Sequence, residues 1–143
     1  MTDIYVIMGD SNSRKSSTIR ALTGVARKRS YDISTTNGII ETYISISSLQ
    51  ESKTSPKAFL KEVNSMGCKN VLVSLWIRNG KSLPKGRKYL DKFTKSGWNI
   101  KPIAVLGSTL PNLPQRYSVK SIKSKKRPSN EIASEVRKMW NWL

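Results

Sequence analysis

The chain has 143 residues, 37% hydrophobic and 24% charged, the profile of one globular domain able to bury a core. It has no histidine and a single cysteine, which excludes histidine acid–base or triad chemistry and argues against a zinc site. The balance of 26 Lys and Arg against 9 Asp and Glu gives a formal net charge of +17, which points to a polyanionic partner.

That charge is unevenly placed. Residues 1–67 carry nine basic and six acidic side chains, whereas residues 69–143 carry seventeen and three. No apolar run approaches the roughly 18–20 residues of a membrane span. The N-terminus lacks a basic, apolar and small-residue leader pattern. The chain therefore reads as a soluble, cytoplasmic protein without a membrane partner. Cys68 cannot form an internal disulfide and is expected as a buried, inert thiol beside the apolar run Val71–Ile77.

In chain order, Asp3–Met8 reads as a short buried strand of the parallel-sheet type. Lys15–Ala26 shows helical spacing, with Ile19, Leu22 and Ala26 on one side. Asn37-Gly38 marks a β-hairpin between two β-rich runs within 31–48. In its second run Ile40, Thr42, Ile44 and Ile46 face one way, and Glu41, Tyr43, Ser45 and Ser47 the other. Ser55-Pro56 opens a helix whose apolar side is Phe59, Leu60, Val63 and Met66, and Gly67 ends it. A second continuous apolar strand covers 70–77, followed by a helix over Pro84–Ser96 with Leu90 and Phe93 inward. A third central strand covers 100–107 and leads into a proline-interrupted loop. A short strand within 117–127 runs into a basic stretch, and a helix over 129–143 presents Ile132, Val136, Met139, Trp140 and Leu143 on one face. Strands alternating with helices predict an α/β fold, a three-layer sandwich around a mostly parallel sheet, as a single domain over 1–143. Ligands of such sheets sit at the carboxyl ends of the strands.

The first of those ends carries the segment Gly9–Ser17, "GDSNSRKSS". It fits G-x-x-x-x-G-K-[ST] except at Arg14, where a glycine is expected. The motif needs consecutive backbone N–H groups and a helix N-terminus aimed at an anion, with a lysine for the outer phosphates and a hydroxyl for Mg²⁺. A buried strand before it and a helix after it supply the required setting. Arg14 and Lys15 add a second argument, because each cation at a helix N-terminus costs about 0.3–1 kcal/mol unless an anion answers it. Arg14 is expected in helical backbone that any residue can adopt, with its guanidinium free to fork onto a phosphate.

On Gly9, Lys15 and Ser16 the chain resembles the P-loop NTPase superfamily with a variant Walker A motif. The hairpin after the first helix is similar to the topology of small GTPases. The resemblance implies a nucleoside triphosphate, ATP or GTP, bound by Gly9, Asp10, Ser11, Asn12, Ser13, Arg14, Lys15, Ser16 and Ser17, with Lys15 neutralising phosphates and Ser16 on Mg²⁺. It departs from the family where a metal-holding aspartate should end the strand "YISISSLQE", which offers serines instead. Gln50 or Glu51 would then position a water. No Asn-Lys-x-Asp guanine reader follows "KPIAVLG". The resemblance thus implies binding more than hydrolysis.

The basic excess gathers in two places. Lys85, Lys88, Lys92 and Lys95 form a helical stripe, and Lys120, Lys123, Lys125, Lys126 and Arg127 a denser cluster. Both are expected to follow a nucleic-acid backbone, DNA or RNA. Arg116 and the lysines after it offer an alternative use as a lid over phosphates. Trp142 falls off the apolar face of the last helix and is a candidate to stack a base, set against core or edge packing. The readings are an NTP-binding protein working on or beside nucleic acid, a non-catalytic nucleic-acid or protein adaptor on a degenerate scaffold, and a small nucleotide or nucleoside kinase.

Overall fold

The apolar runs come together as one sheet in the computed structural model, which describes residues 1–143. The elements are β1 (Asp3–Gly9), α1 (Lys15–Thr23), β2 (Arg29–Thr35), β3 (Gly38–Ile44), α2 (Pro56–Met66), β4 (Asn70–Trp76), α3 (Gly86–Lys95), β5 (Asn99–Ile100), β6 (Ile103–Leu106), β7 (Val119–Ile122) and α4 (Ser129–Trp140). The strand order is β2-β3-β4-β1-β6-β7, with the short β5 also pairing with β1. All neighbours run parallel except the β2–β3 hairpin, whose register places Thr35 opposite Gly38. The hairpin stands at one edge, and β4 separates β3 from β1.

Alternation of side chains along each strand divides the core into two halves. Ile4, Val6, Met8, Val71, Val73, Leu75, Ile103 and Val105 face α2 and α3, where Phe59, Val63, Tyr89, Leu90 and Phe93 close over them. Tyr5, Ile7, Ile44, Leu72, Ala104 and Leu106 face α1 and α4, against Ile19, Leu22, Ile132 and Val136. The result is a three-layer α/β arrangement on a mostly parallel seven-stranded sheet. No helix is long and apolar enough to cross a membrane.

Local signals explain most element ends. Ser55 caps α2 by accepting from the Ala58 N–H at 3.1 Å, and Pro56 occupies its first position. Cys68 is buried, as its sequence setting suggests. Three expectations need correction. Helix α1 stops at Thr23 because Gly24 adopts φ 72 and returns its N–H to Arg20, so Ala26 is exposed rather than on the core face. The strand expected over 100–107 is broken at Lys101-Pro102, where proline has no N–H for the ladder. Helix α4 ends at Trp140, since Asn141 takes φ 59 and turns the chain. Leu143 is therefore 73% exposed, and Trp142 is 5% exposed. Trp142 packs edge-on against Tyr5 with ring centroids 5.0 Å apart, and residues 141–143 bridge to the outer edge of β2. It is a core residue, unavailable for stacking a base.

Candidate phosphate-binding site

The site begins where β1 leaves the sheet. A Cβ on Gly9 would lie 2.3 Å from Ser13 Oγ and 2.8 Å from the Leu106 carbonyl oxygen, so only glycine lets the chain fold back here. The loop then alternates in backbone hand. Asn12 has φ 64 and Arg14 φ 71, whereas Ser13 and Lys15 keep negative values. Alternation of this kind is the backbone pattern of an anion-binding nest. The N–H groups of Ser11, Asn12, Arg14, Lys15, Ser16 and Ser17 donate to no group of the protein, while Ser13 N–H turns back to the Asp10 carbonyl at 3.3 Å. Three of the free donors belong to the first turn of α1, so the positive end of the helix dipole adds to them.

Arg14 differs from the sequence expectation. It is the residue immediately before α1 and sits in left-handed backbone, the conformation that the missing glycine would adopt freely. An ordinary side chain there costs about 1–2 kcal/mol. Its side chain points to solvent at the rim of the nest.

Lys15 folds inward. It is 6% exposed, and its ammonium donates to the Asp10 carbonyl at 2.6 Å and to Ser13 Oγ at 3.2 Å. Burial pulls its pKa from 10.5 down to about 8, against the opposing pull of Glu51 and Asp10. The Asp10 carboxylate accepts from the Thr109 hydroxyl and lies 3.6 Å from Arg78 Nε, which ties the loop to the ends of β4 and β6.

Around this nest lies a polar pocket of about 220 Å³, lined by Ser11, Asn12, Arg14, Lys15, Ser16, Ser17, Ser48, Glu51 and Trp76. Ser16 Oγ donates to the Ile46 carbonyl at 3.2 Å, so the chain beyond β3 reaches the loop although β4 lies between the strands. Ser48 Oγ is buried at this pocket without a partner. Glu51 is exposed and lines it too. Gln50, expected to position a water, is instead 3% exposed and fully engaged. Its amide donates to the carbonyls of Trp76 at 3.1 Å and Pro84 at 3.3 Å, and accepts from Trp76 N–H at 3.0 Å. Gln50 fixes the end of β4 and has no donor left for a water. No group of three or more acidic or cysteine side chains comes together as a ready-made metal site.

The basic residues separate. Lys123, Lys125 and Lys126 line a second pocket of about 690 Å³ together with Asp10–Arg14 and Leu106–Thr109, on the β6–β7 side of the loop. The stripe of α3 lies elsewhere: Lys88, Lys92 and Lys95 line a different groove with Ser55, Pro56 and Lys57, and Lys85 is exposed at the head of the helix. The two clusters thus line separate pockets. Arg127 is not free, since it pairs with Glu131 and Glu135 and donates to the Lys123 carbonyl. Lys120 stays exposed on β7. Arg116 pairs with Asp91 at 3.0 Å and stacks on Tyr117, away from the loop.

Sequence reasoning passed over Trp76, Arg78, Ser48 and Thr109. Each stands at or just past the carboxyl end of a strand run or its continuation, and that position was the available signal. Comparison with protein-family models, with curated proteins and with solved structures returns no match for this chain. The functional reading therefore rests on the geometry of the loop itself.

Proposed function

We propose that the protein binds a nucleoside triphosphate, ATP or GTP, on the Gly9–Ser17 loop, turns it over slowly or not at all, and works on or beside nucleic acid. The observation that carries this reading is the nest: six unanswered N–H groups at the head of α1, alternating backbone hand from Asn12 to Lys15, and a cation held inside. Together they supply what a chain of phosphates asks for. On binding, the Lys15 ammonium would exchange the Asp10 carbonyl for phosphate oxygens, and its pKa would rise again.

The oxygen donors at the pocket suit Mg²⁺, which prefers one or two carboxylates plus phosphate oxygens. Glu51, the hydroxyl of Ser16 and the unpartnered hydroxyl of Ser48 are the groups that would hold it. Bound there, Mg²⁺ would neutralise charge on the outer phosphates. Glu51 remains the one carboxylate at the pocket able to orient a water, because Gln50 is tied to β4. Slow turnover follows, below roughly 1 s⁻¹. The same engagement of Gln50 favours, as a second reading, a non-catalytic adaptor on the same scaffold. Of the lid that the kinase reading needs, Arg116 pairs with Asp91, whereas Lys123, Lys125 and Lys126 line a pocket with the loop.

Thermal unfolding with ATP or GTP, each with and without Mg²⁺, tests the proposal. A triphosphate at 100 times its Kd stabilises by about 2.7 kcal/mol. That shift is expected for the wild type and should be lost in Lys15→Ala. No shift with either nucleotide, or a shift that survives Lys15→Ala unchanged, overturns the reading.

A further inference from the structure

Of the four tryptophans, three are core residues: Trp98, Trp140 and Trp142 are 7%, 5% and 5% exposed. Trp76 alone is partly exposed, and it stands at the end of β4, beside the loop-bearing strand. Trp76 lines three adjoining pockets: the nest, a pocket of about 270 Å³ with Arg78 and Asn79, and one of about 590 Å³ with Lys53 and Lys81. The backbone beneath it is rigidly held. Gln50 closes both its N–H and its carbonyl, and a Cβ on Gly86 would lie 2.4 Å from that carbonyl oxygen. A Cβ on Gly80 would come 3.5 Å from the indole Cζ3, so a glycine turn backs the ring.

We propose that Trp76 is a stacking platform for an unpaired base of a single-stranded nucleic acid, whose backbone crosses the nest mouth between Arg78 on one flank and Lys53 and Lys81 on the other. The inference rests on the proposed function, and it names the partner of that site. Three features lead to it. A rigid, partly exposed indole offers a face to any base, and base–aromatic stacking is the sequence-tolerant contact of single-strand binding. Cations stand on both flanks, and Lys53 and Lys81 pair with no carboxylate. A mononucleotide has phosphate on one side of its base, whereas an internal nucleotide of a strand has it on both. Finally, Trp76 lies on the β4 side of β1, while the pocket with Lys123, Lys125 and Lys126 lies on the β6–β7 side. A triphosphate in the nest therefore has a separate direction in which to extend its own nucleoside.

The experiment is a titration of the full chain with a 15-nucleotide single-stranded dT oligomer, a duplex of equal length and Mg²⁺-ATP, following tryptophan emission and the anisotropy of a labelled strand. Emission should fall with the single strand and hold steady with the duplex. Trp76→Phe, which keeps a ring and the fold, should bind the strand without quenching. Trp76→Ala should weaken binding by roughly 5- to 150-fold. Undiminished affinity for the strand in Trp76→Ala overturns the proposal. A strand that quenches while neither triphosphate shifts the melting temperature supports the platform and removes the loop reading. A triphosphate shift without quenching by the strand does the reverse.

Discussion

Replacing Lys15 by methionine isolates the electrostatic strain stored in the nest. The methionine stem fills the same space, while the charge that is 6% exposed in the wild type disappears. The Lys15 pKa lies near 8 in the folded protein against 10.5 in an unfolded chain. The native state therefore holds fewer protons than the unfolded state between those values, and stability must rise with pH across that window. At 1.36 kcal/mol per unit, the charged side chain costs the fold about 3 kcal/mol at pH 7, and about 2.5 kcal/mol of this is recovered by pH 10. For a chain of this size that recovery moves the melting temperature by about 8 °C. Other lysines also lose charge in this range, so the informative quantity is wild type minus Lys15→Met, measured by thermal unfolding at pH 7, 8, 9 and 10. The wild type should gain on the variant by that amount as pH rises. A difference that stays flat would show that Lys15 is not buried as a cation, and the description of the nest would fail with it.

Other substitutions probe the surroundings of the loop. Arg14→Gly removes the left-handed strain at φ 71 and, after the added freedom of the unfolded glycine, should stabilise the fold by up to about 1 kcal/mol. A loss of stability in chemical denaturation would show that the arginine side chain holds the loop. Trp142→Ala should cost about 3–5 kcal/mol, as for a large core residue, and a cost below about 1 kcal/mol would return it to the surface. Reversing Lys123, Lys125 and Lys126 to glutamate should weaken sequence-independent binding of DNA or RNA and flatten its salt dependence between about 50 and 200 mM. The melting temperature should hold, since exposed substitutions stay within about 0.5 kcal/mol each. Unchanged salt dependence would remove this cluster from the nucleic-acid surface.

Much of the fold was legible because local chemistry decided it. Continuous apolar runs gave β1, β4 and the central strand after α3. Ser55-Pro56 and Gly67 bounded α2, and the alternation from Ile40 to Ser47 divided correctly between the two core halves. The features that escaped are set by residues distant in sequence or by backbone hand. The partnership of Gln50 with Trp76 spans 26 positions and appears only once β4 is placed beside the chain leaving β3. The meeting of Lys123–Lys126 with the loop depends on β6 lying between β1 and β7. Arg14 gave no sign of its positive φ, because an arginine is as ordinary in a helix as it is strained here. Leu143 was misplaced by extending a helical period past Asn141, whose left-handed turn reverses the chain.

The central claim is that the backbone of residues 11–17 receives phosphate. Amide chemical shifts of the isotopically labelled protein, followed while Mg²⁺-ATP and then Mg²⁺-GTP are added near pH 7, test it at the atoms concerned. The amides of Ser11, Asn12, Arg14, Lys15, Ser16 and Ser17, which have no partner within the fold, should move most and saturate together. Shifts confined to the Lys123–Lys126 loop or the α3 stripe, with those six amides unmoved, would mean that the basic surface alone attracts the anion and that the loop is not a phosphate site.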